Sequence, residues 1–219
     1  MVDKLPRERI RTITIAPIGL EGLLGLPTDA KGIVLFAHGS GSGRLSPRNN
    51  FVAQALRDNG LATLLFDLLT SDEARDRRNV FDIELLARRL LIATTWVRQD
   101  AETRDLLVGY FGASTGAAAT LVAEAAHQGP VAAIVSRGGR PDLAGPALAT
   151  VNAPTLLIVG GDDVEVLALN RAALAKLRCE KQLVIVPGAT HLFEEPGTLE
   201  AVVEHARGWF LKHFTEAEP

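Results

Sequence analysis

Ser114 stands in the pentapeptide Gly112-Ala113-Ser114-Thr115-Gly116, which has the spacing G-x-S-x-G. A serine hydroxyl is a weak nucleophile at neutral pH and needs an adjacent base. The pattern gains meaning from its surroundings. An apolar run at 106–111 leads into it, and the small residues Ala117 and Ala118 lead out of it. That is the order strand, sharp turn, helix, which lifts the hydroxyl above the sheet. Gly112 and Gly116 leave room around a strained turn. The plain alternative is a glycine-rich strand-to-helix turn with no chemistry.

The base must come from the five histidines. His191 follows an apolar run at 183–186 across Pro187-Gly188-Ala189-Thr190, which places it in a loop after a strand. His205 and His213 fall on a closing helical segment and read as surface or interface groups. His127 ends the helix after the serine, where a cation suits the helix dipole. His38 follows a strand but heads a glycine-rich loop. His191 is therefore the expected base. A carboxylate must hold its imidazole in the productive tautomer. The apolar run at 155–159 opens onto Gly160-Gly161-Asp162-Asp163. By position either Asp162 or Asp163 fits. The resulting chain order is Ser, Asp, His.

Acyl transfer also needs backbone N–H groups aimed at the developing oxyanion. One is expected from Thr115, directly after the serine. The other is expected from Ser40, in the loop His38-Gly39-Ser40-Gly41-Ser42-Gly43. Four arginines fall in loops near the same end of the strands: Arg44, Arg48, Arg137 and Arg140. Guanidinium groups bind carboxylate and phosphate through paired N–H donors. Arg137 and Arg140 flank Gly138-Gly139 and are the candidates for touching an anionic substrate. Arg44 and Arg48 read rather as loop-holding charges, with Asp67, Asp72, Glu194 and Glu195 as available partners.

Positioning these residues requires an alternation of buried strands and helices. Strands are expected at 10–16, 21–26, 33–37, 61–66, 106–111, 131–135, 155–159 and 183–186. Helices are expected from Ser46-Pro47 to about 58, at 81–99, 115–127, around 167–178, and at 199–214. The segments 70–80 and 137–151 read as loops, the second with at most a short helix. The runs at 33–37 and 61–66 lack polar alternation, as in strands covered on both faces. The rhythm predicts an α/β fold: a mostly parallel sheet of about eight strands with helices on both faces, in a single domain over 1–219. No helix separates the first two strands, so they form an antiparallel edge. Ligands of such sheets sit beyond the C-terminal strand ends.

With those residues in place, the chain resembles the dienelactone hydrolase family of α/β-hydrolases. More narrowly, it is similar to bacterial hydrolase domains found fused to phosphoribosyltransferases. The resemblance spans nearly the whole chain and rests on His38–Asn49, Gly112–Ala118, Ser136–Leu143, Leu157–Asn170 and Pro187–Pro196. It implies a hydrolase without a large cap domain, acting on small soluble esters. The family's strand followed by Gly-x-x-Asp implies Asp163 over Asp162 as the carboxylate. The dienelactone hydrolases proper use cysteine as nucleophile, whereas serine stands here, which favours general ester chemistry. Phosphotriesters, thioesters and lactones are the alternatives on the same triad. The resemblance also raises Glu21, on an early strand, as a group that approaches the nucleophile in that family.

Composition sets the remaining bounds. The net charge of -3 argues against nucleic acid as the main partner. The lone Cys179 can form neither an internal disulfide nor a cysteine-rich metal site. H-E-x-x-H is missing, so no metal is expected. No apolar run reaches the length of a membrane span, and the charged N-terminus lacks a signal-peptide core. A cytoplasmic enzyme without cofactor is the expectation, monomeric or homodimeric. The loop at 39–43 resembles a phosphate loop, but Arg44 stands where the dinucleotide fingerprint needs glycine, and no Gly-Lys-Ser/Thr follows. A non-catalytic binding protein on the same fold is the other competing reading.

Overall fold

The computed structural model describes residues 8–126 and 129–216. The N-terminal residues before Glu8 and the expected helix terminus at His127 lie outside that set. The eight strands are β1 (Glu8–Ile15), β2 (Leu20–Pro27), β3 (Gly32–Ala37), β4 (Ala62–Phe66), β5 (Leu107–Ala113), β6 (Ala133–Arg137), β7 (Thr155–Gly160) and β8 (Lys181–Val186). The helices are α1 (Pro47–Asp58), α2 (Ile83–Gln99), α3 (Thr115–Ala126), α4 (Val164–Lys176) and α5 (Thr198–Glu216). All strands form one sheet in the order β1-β2-β4-β3-β5-β6-β7-β8. From β4 to β8 neighbours are parallel, and β1 and β2 form the antiparallel edge.

The lack of alternation in the central strands has its cause in two cores, one on each face of the sheet. Ile33 and Leu35 of β3 pack with Tyr110, Leu90 and Leu121 on the side of α2 and α3. Val34 and Phe36 pack with Phe111, Val52, Val202 and Phe210 on the side of α1 and α5. Each such buried Leu or Phe contributes about 1.5–3 kcal/mol relative to exposure. Tyr110 keeps its buried hydroxyl satisfied against Thr94 Oγ1 at 2.8 Å.

The helix starts follow local chemistry. Ser46 caps α1, accepting from Asn49 N at 3.4 Å, and Pro47 takes the first helical position. Asp82 caps α2 by accepting from Leu85 N at 2.9 Å, so the helix begins two residues later than expected. The segment 70–80 carries two short 3-10 turns, at Glu73–Arg75 and Asn79–Phe81. A kinked 3-10 segment, Pro141–Ala149, occupies most of the expected loop at 137–151. β6 runs two residues beyond its expected end. The ladder continues through the buried Ser136 and Arg137, paired with Gly112 and Ala113 of β5. The aligned C-terminal ends of β3, β5, β6 and β7 bring their following loops together, and the order reverses between β3 and β5.

Candidate active site

Ser114 occupies the turn between β5 and α3 with φ of 50°, a left-handed conformation that is uncommon outside glycine. Such strain costs on the order of 1–3 kcal/mol and persists only where the surroundings enforce it. Here its carbonyl accepts from Arg140 N at 3.0 Å and Ala117 N at 3.1 Å. Its own N–H donates to Arg137 O at 3.4 Å. Two glycines make the turn possible. A Cβ on Gly39 would lie 2.8 Å from Ser114 Cβ, and one on Gly116 would collide with the Ala37 carbonyl. The loop after β3 and the turn after β5 therefore close on each other with no side chain between them.

His191 lies in the loop between β8 and α5, with its side chain 38% exposed. Its Nδ1 meets Asp163 Oδ2 at 2.7 Å. Asp163 precedes α4 directly after β7, with its side chain only 14% exposed. A carboxylate acceptor puts the proton on Nδ1 and leaves the Nε2 lone pair available. Glu195 closes the histidine loop by accepting from Thr190 N at 3.1 Å and Thr190 Oγ1 at 2.5 Å. Asp162, by contrast, is exposed. Cys179 precedes β8 at the opposite end of the sheet, and burial raises its thiol pKa.

Ser114 and His191 line one cavity of about 180 Å³ together with Ser40, Arg48, Arg137 and Leu192. A second cavity of about 280 Å³ lies across the loop after β3, walled by Leu69, Ala74, Val80, Leu86 and Thr115. Gly39, Ser40 and Ser42 belong to both, so this loop divides them. His38 holds the loop. Its Nε2 accepts from Leu68 N at 3.0 Å, and its Nδ1 donates to Gly39 O at 2.9 Å. Burial lowers the His38 pKa, against smaller opposing effects from the Gly39 bond and the Asp67 charge. Both ring nitrogens are spent on backbone, which makes this imidazole a neutral strut.

The four loop arginines divide. Arg44 pairs with Asp67 and, at 2.6 Å, with Glu21. Arg48 pairs with Glu194 at 2.9 Å. Arg140 grips Asp142 through two bonds of 2.9 and 2.8 Å. Neither Arg140 nor Glu21 lines either cavity. Arg137 differs: it is 7% exposed, and its Nε and Nη1 have no hydrogen-bond partner. Burial, with the neighbouring Arg48 charge, pushes its pKa down to about 10, so it remains a cation at neutral pH.

Sequence reasoning missed three features of this site: the strut role of His38, the apolar second cavity, and the share of Ser42, Ser46 and Leu192 in the first. Leu69, Ala74, Val80 and Leu86 are scattered over a loop, two turns and a helix, and no periodicity unites them. Among the described residues, no group of three or more His, Cys, Asp or Glu could hold a metal ion. No helix there is long and apolar enough to cross a membrane.

A left-handed serine between a central parallel strand and its helix, on an eight-stranded sheet with an antiparallel edge, defines an α/β-hydrolase. A scan against protein-family profiles finds no match. Among solved structures, the dienelactone hydrolase of Anabaena variabilis superposes with a TM-score of 0.90 at 55% identity, covering 95% of this chain and 98% of that one. The chain belongs to the dienelactone hydrolase family. Est1E of Butyrivibrio proteoclasticus shares the fold at 16% identity, with a TM-score of 0.78 over 94% of this chain and 99% of its own. The esterase domain of a Rhodothermus marinus protein does so at 20% identity and a TM-score of 0.75, over 94% and 99% of the two chains. Two Mycobacterium tuberculosis proteins, provisionally named phosphoribosyl transferases, are 57% identical over 207 residues. That match covers 94% of this chain and 47% of theirs, so the chain spans about half the length of those relatives.

Proposed function

We propose that the protein hydrolyses small soluble carboxylic esters through an acyl-enzyme on Ser114. The Ser114 oxygen attacks the ester carbonyl carbon while His191 Nε2 takes the hydroxyl proton. The carbon–alkoxide bond then breaks, and His191 returns that proton to the leaving oxygen. Water, activated by the same imidazole, hydrolyses the acyl-enzyme and restores the serine. Asp163 holds the tautomer and stabilises the imidazolium. The N–H groups of Ser40 and Thr115 stabilise the oxyanion.

The observation that carries this reading is the 2.7 Å bond from His191 to Asp163 behind a cavity that His191 shares with the left-handed Ser114. Serine rather than cysteine as nucleophile favours esters; phosphotriesters, thioesters and lactones are competing substrates for the same residues. The transferase name of the mycobacterial relatives belongs to proteins about twice as long, and the hydrolase chemistry proposed here concerns the matching half. The test is turnover of a phenyl butyrate series by wild type and Ser114→Ala. The variant should lose roughly four to six orders of magnitude in kcat with KM little changed. Comparable turnover by Ser114→Ala would remove serine catalysis from the account.

A further inference from the structure

Arg137 is the last residue of β6, beside Ala113 and one step from the nucleophile. Its neighbour Ser136 faces α3, since a Cβ on Gly139 would meet both Ser136 Oγ and Ala117 Cβ. Strand alternation sends Arg137 to the other face, where it lines the cavity of Ser114 and His191. A cation buried without a partner is costly, and proteins normally pair it or keep it in water.

Among the described residues, none bonds its Nε or Nη1. The charge that acts on it is Arg48, another cation, and the carboxylate on Arg48 is Glu194, whose side chain is 63% exposed. Among the described residues, no carboxylate lines this cavity, whose other polar walls are Ser40, Ser42 and Ser46. The start of α1, with the positive end of its dipole, borders it at Ser46. Guanidinium, hydroxyl groups and a helix N-terminus all favour an oxyanion.

The two cavities divide the substrate. His191, which returns the proton to the leaving oxygen, lines the cavity of Arg137 and not the apolar one. Thr115 and Leu86 line the apolar one. We infer that the enzyme takes esters of an apolar acid whose leaving alcohol carries an oxyanion, a carboxylate or a phosphate, held by Arg137. This deepens the esterase reading and rests on it for the leaving-group placement.

The test compares 3-carboxyphenyl butyrate and 3-phosphonooxyphenyl butyrate with the neutral 3-carbamoylphenyl butyrate. Wild type should prefer one or both anionic esters. In Arg137→Met the ratio of anionic to neutral kcat/KM should fall by about 10- to 100-fold, the scale of a charge-assisted hydrogen bond. Arg137→Lys should fall less. An unchanged ratio in both variants overturns the inference. A monoaryl succinate, charged on the acyl side, should show little dependence on Arg137; a dependence as large as that of the charged leaving groups overturns the placement.

A binding arm is independent of turnover. In Ser114→Ala protein, inorganic phosphate or succinate should raise the melting temperature, and Arg137→Met should abolish the rise. A rise that survives Arg137→Met places the anion elsewhere and overturns the site. Turnover persisting in Ser114→Ala would overturn the esterase reading and the leaving-group placement, while an Arg137-dependent rise would still uphold the anion site.

Discussion

Arg57 and Arg137 are equally buried, each 7% exposed, and they sit at opposite ends of the sheet. Arg57, near the end of α1, bonds Glu8 Oε2 at 2.9 Å, Thr63 Oγ1 at 2.9 Å and Gln54 Oε1 at 2.7 Å. It ties the first strand to the helix and to the start of β4. Arg137 has two nitrogens without any partner. The histidines repeat the contrast. His38 spends both ring nitrogens on backbone, whereas His191 spends one on Asp163. Arg57 at the scaffold end and His38 behind the loop after β3 are satisfied, whereas Arg137 and His191 beside the nucleophile keep nitrogens open. That incompleteness costs stability and is what a reacting or binding group requires.

The largest effect expected within this contrast is on His191. Asp163→Asn keeps the shape but turns the carboxylate acceptor into an amide, and the wrong tautomer becomes available. Its kcat should fall by roughly three to four orders of magnitude without loss of fold, measured with a phenyl butyrate at neutral pH. A loss below tenfold would mean that Asp163 merely anchors the loop.

Next come the two arginines, for which the expected stability changes have opposite signs. The Arg137 pKa of about 10 lies below its ordinary 12.5, so its charge opposes folding at every pH below about 10. Arg137→Met should therefore stabilise the protein, by up to about 3 kcal/mol. Arg57→Met removes a saturated group and strands its partners, which should cost about 1–3 kcal/mol. Urea melts of both variants check this. Destabilisation by both would mean that Arg137 is structural.

The smallest effect concerns His38. Protonation would remove the Nε2 acceptor used by Leu68 N–H. Its folded pKa lies below 6.5, so the stability it contributes is complete above 6.5 and is lost as pH falls through the folded value. Thermal melts from pH 7 to pH 5 should fall more steeply in wild type than in His38→Asn, which has no titrating ring. Parallel curves would assign the acid sensitivity to other groups such as His213, whose pKa burial also lowers.

Much of this molecule was legible in its sequence. The uninterrupted apolar runs marked strands covered on both faces, and the missing helix between the first two marked the antiparallel edge. The Arg44–Asp67 and Arg48–Glu194 pairs join residues that the sequence offers as partners. The end of β6 was not legible, because Ser136 and Arg137 look like the start of a loop. Only the ladder to Gly112 and Ala113 shows that the strand carries them into the interior. Nor can a sequence show that one arginine lacks a counter-charge, since that depends on which acids fold nearby. Arg140, three residues on, is satisfied by Asp142, and nothing in the residue types separates the two.

The central claim, an activated serine at the elbow, is tested most directly by a fluorophosphonate probe followed by peptide mass spectrometry. Attack by the Ser114 oxygen on phosphorus expels fluoride and leaves a stable adduct. The account predicts one modified peptide carrying the adduct on Ser114, labelling abolished in Ser114→Ala, and labelling slowed by orders of magnitude in His191→Ala. An unmodified Ser114 in folded protein, or an adduct that forms at the same rate without His191, would contradict it.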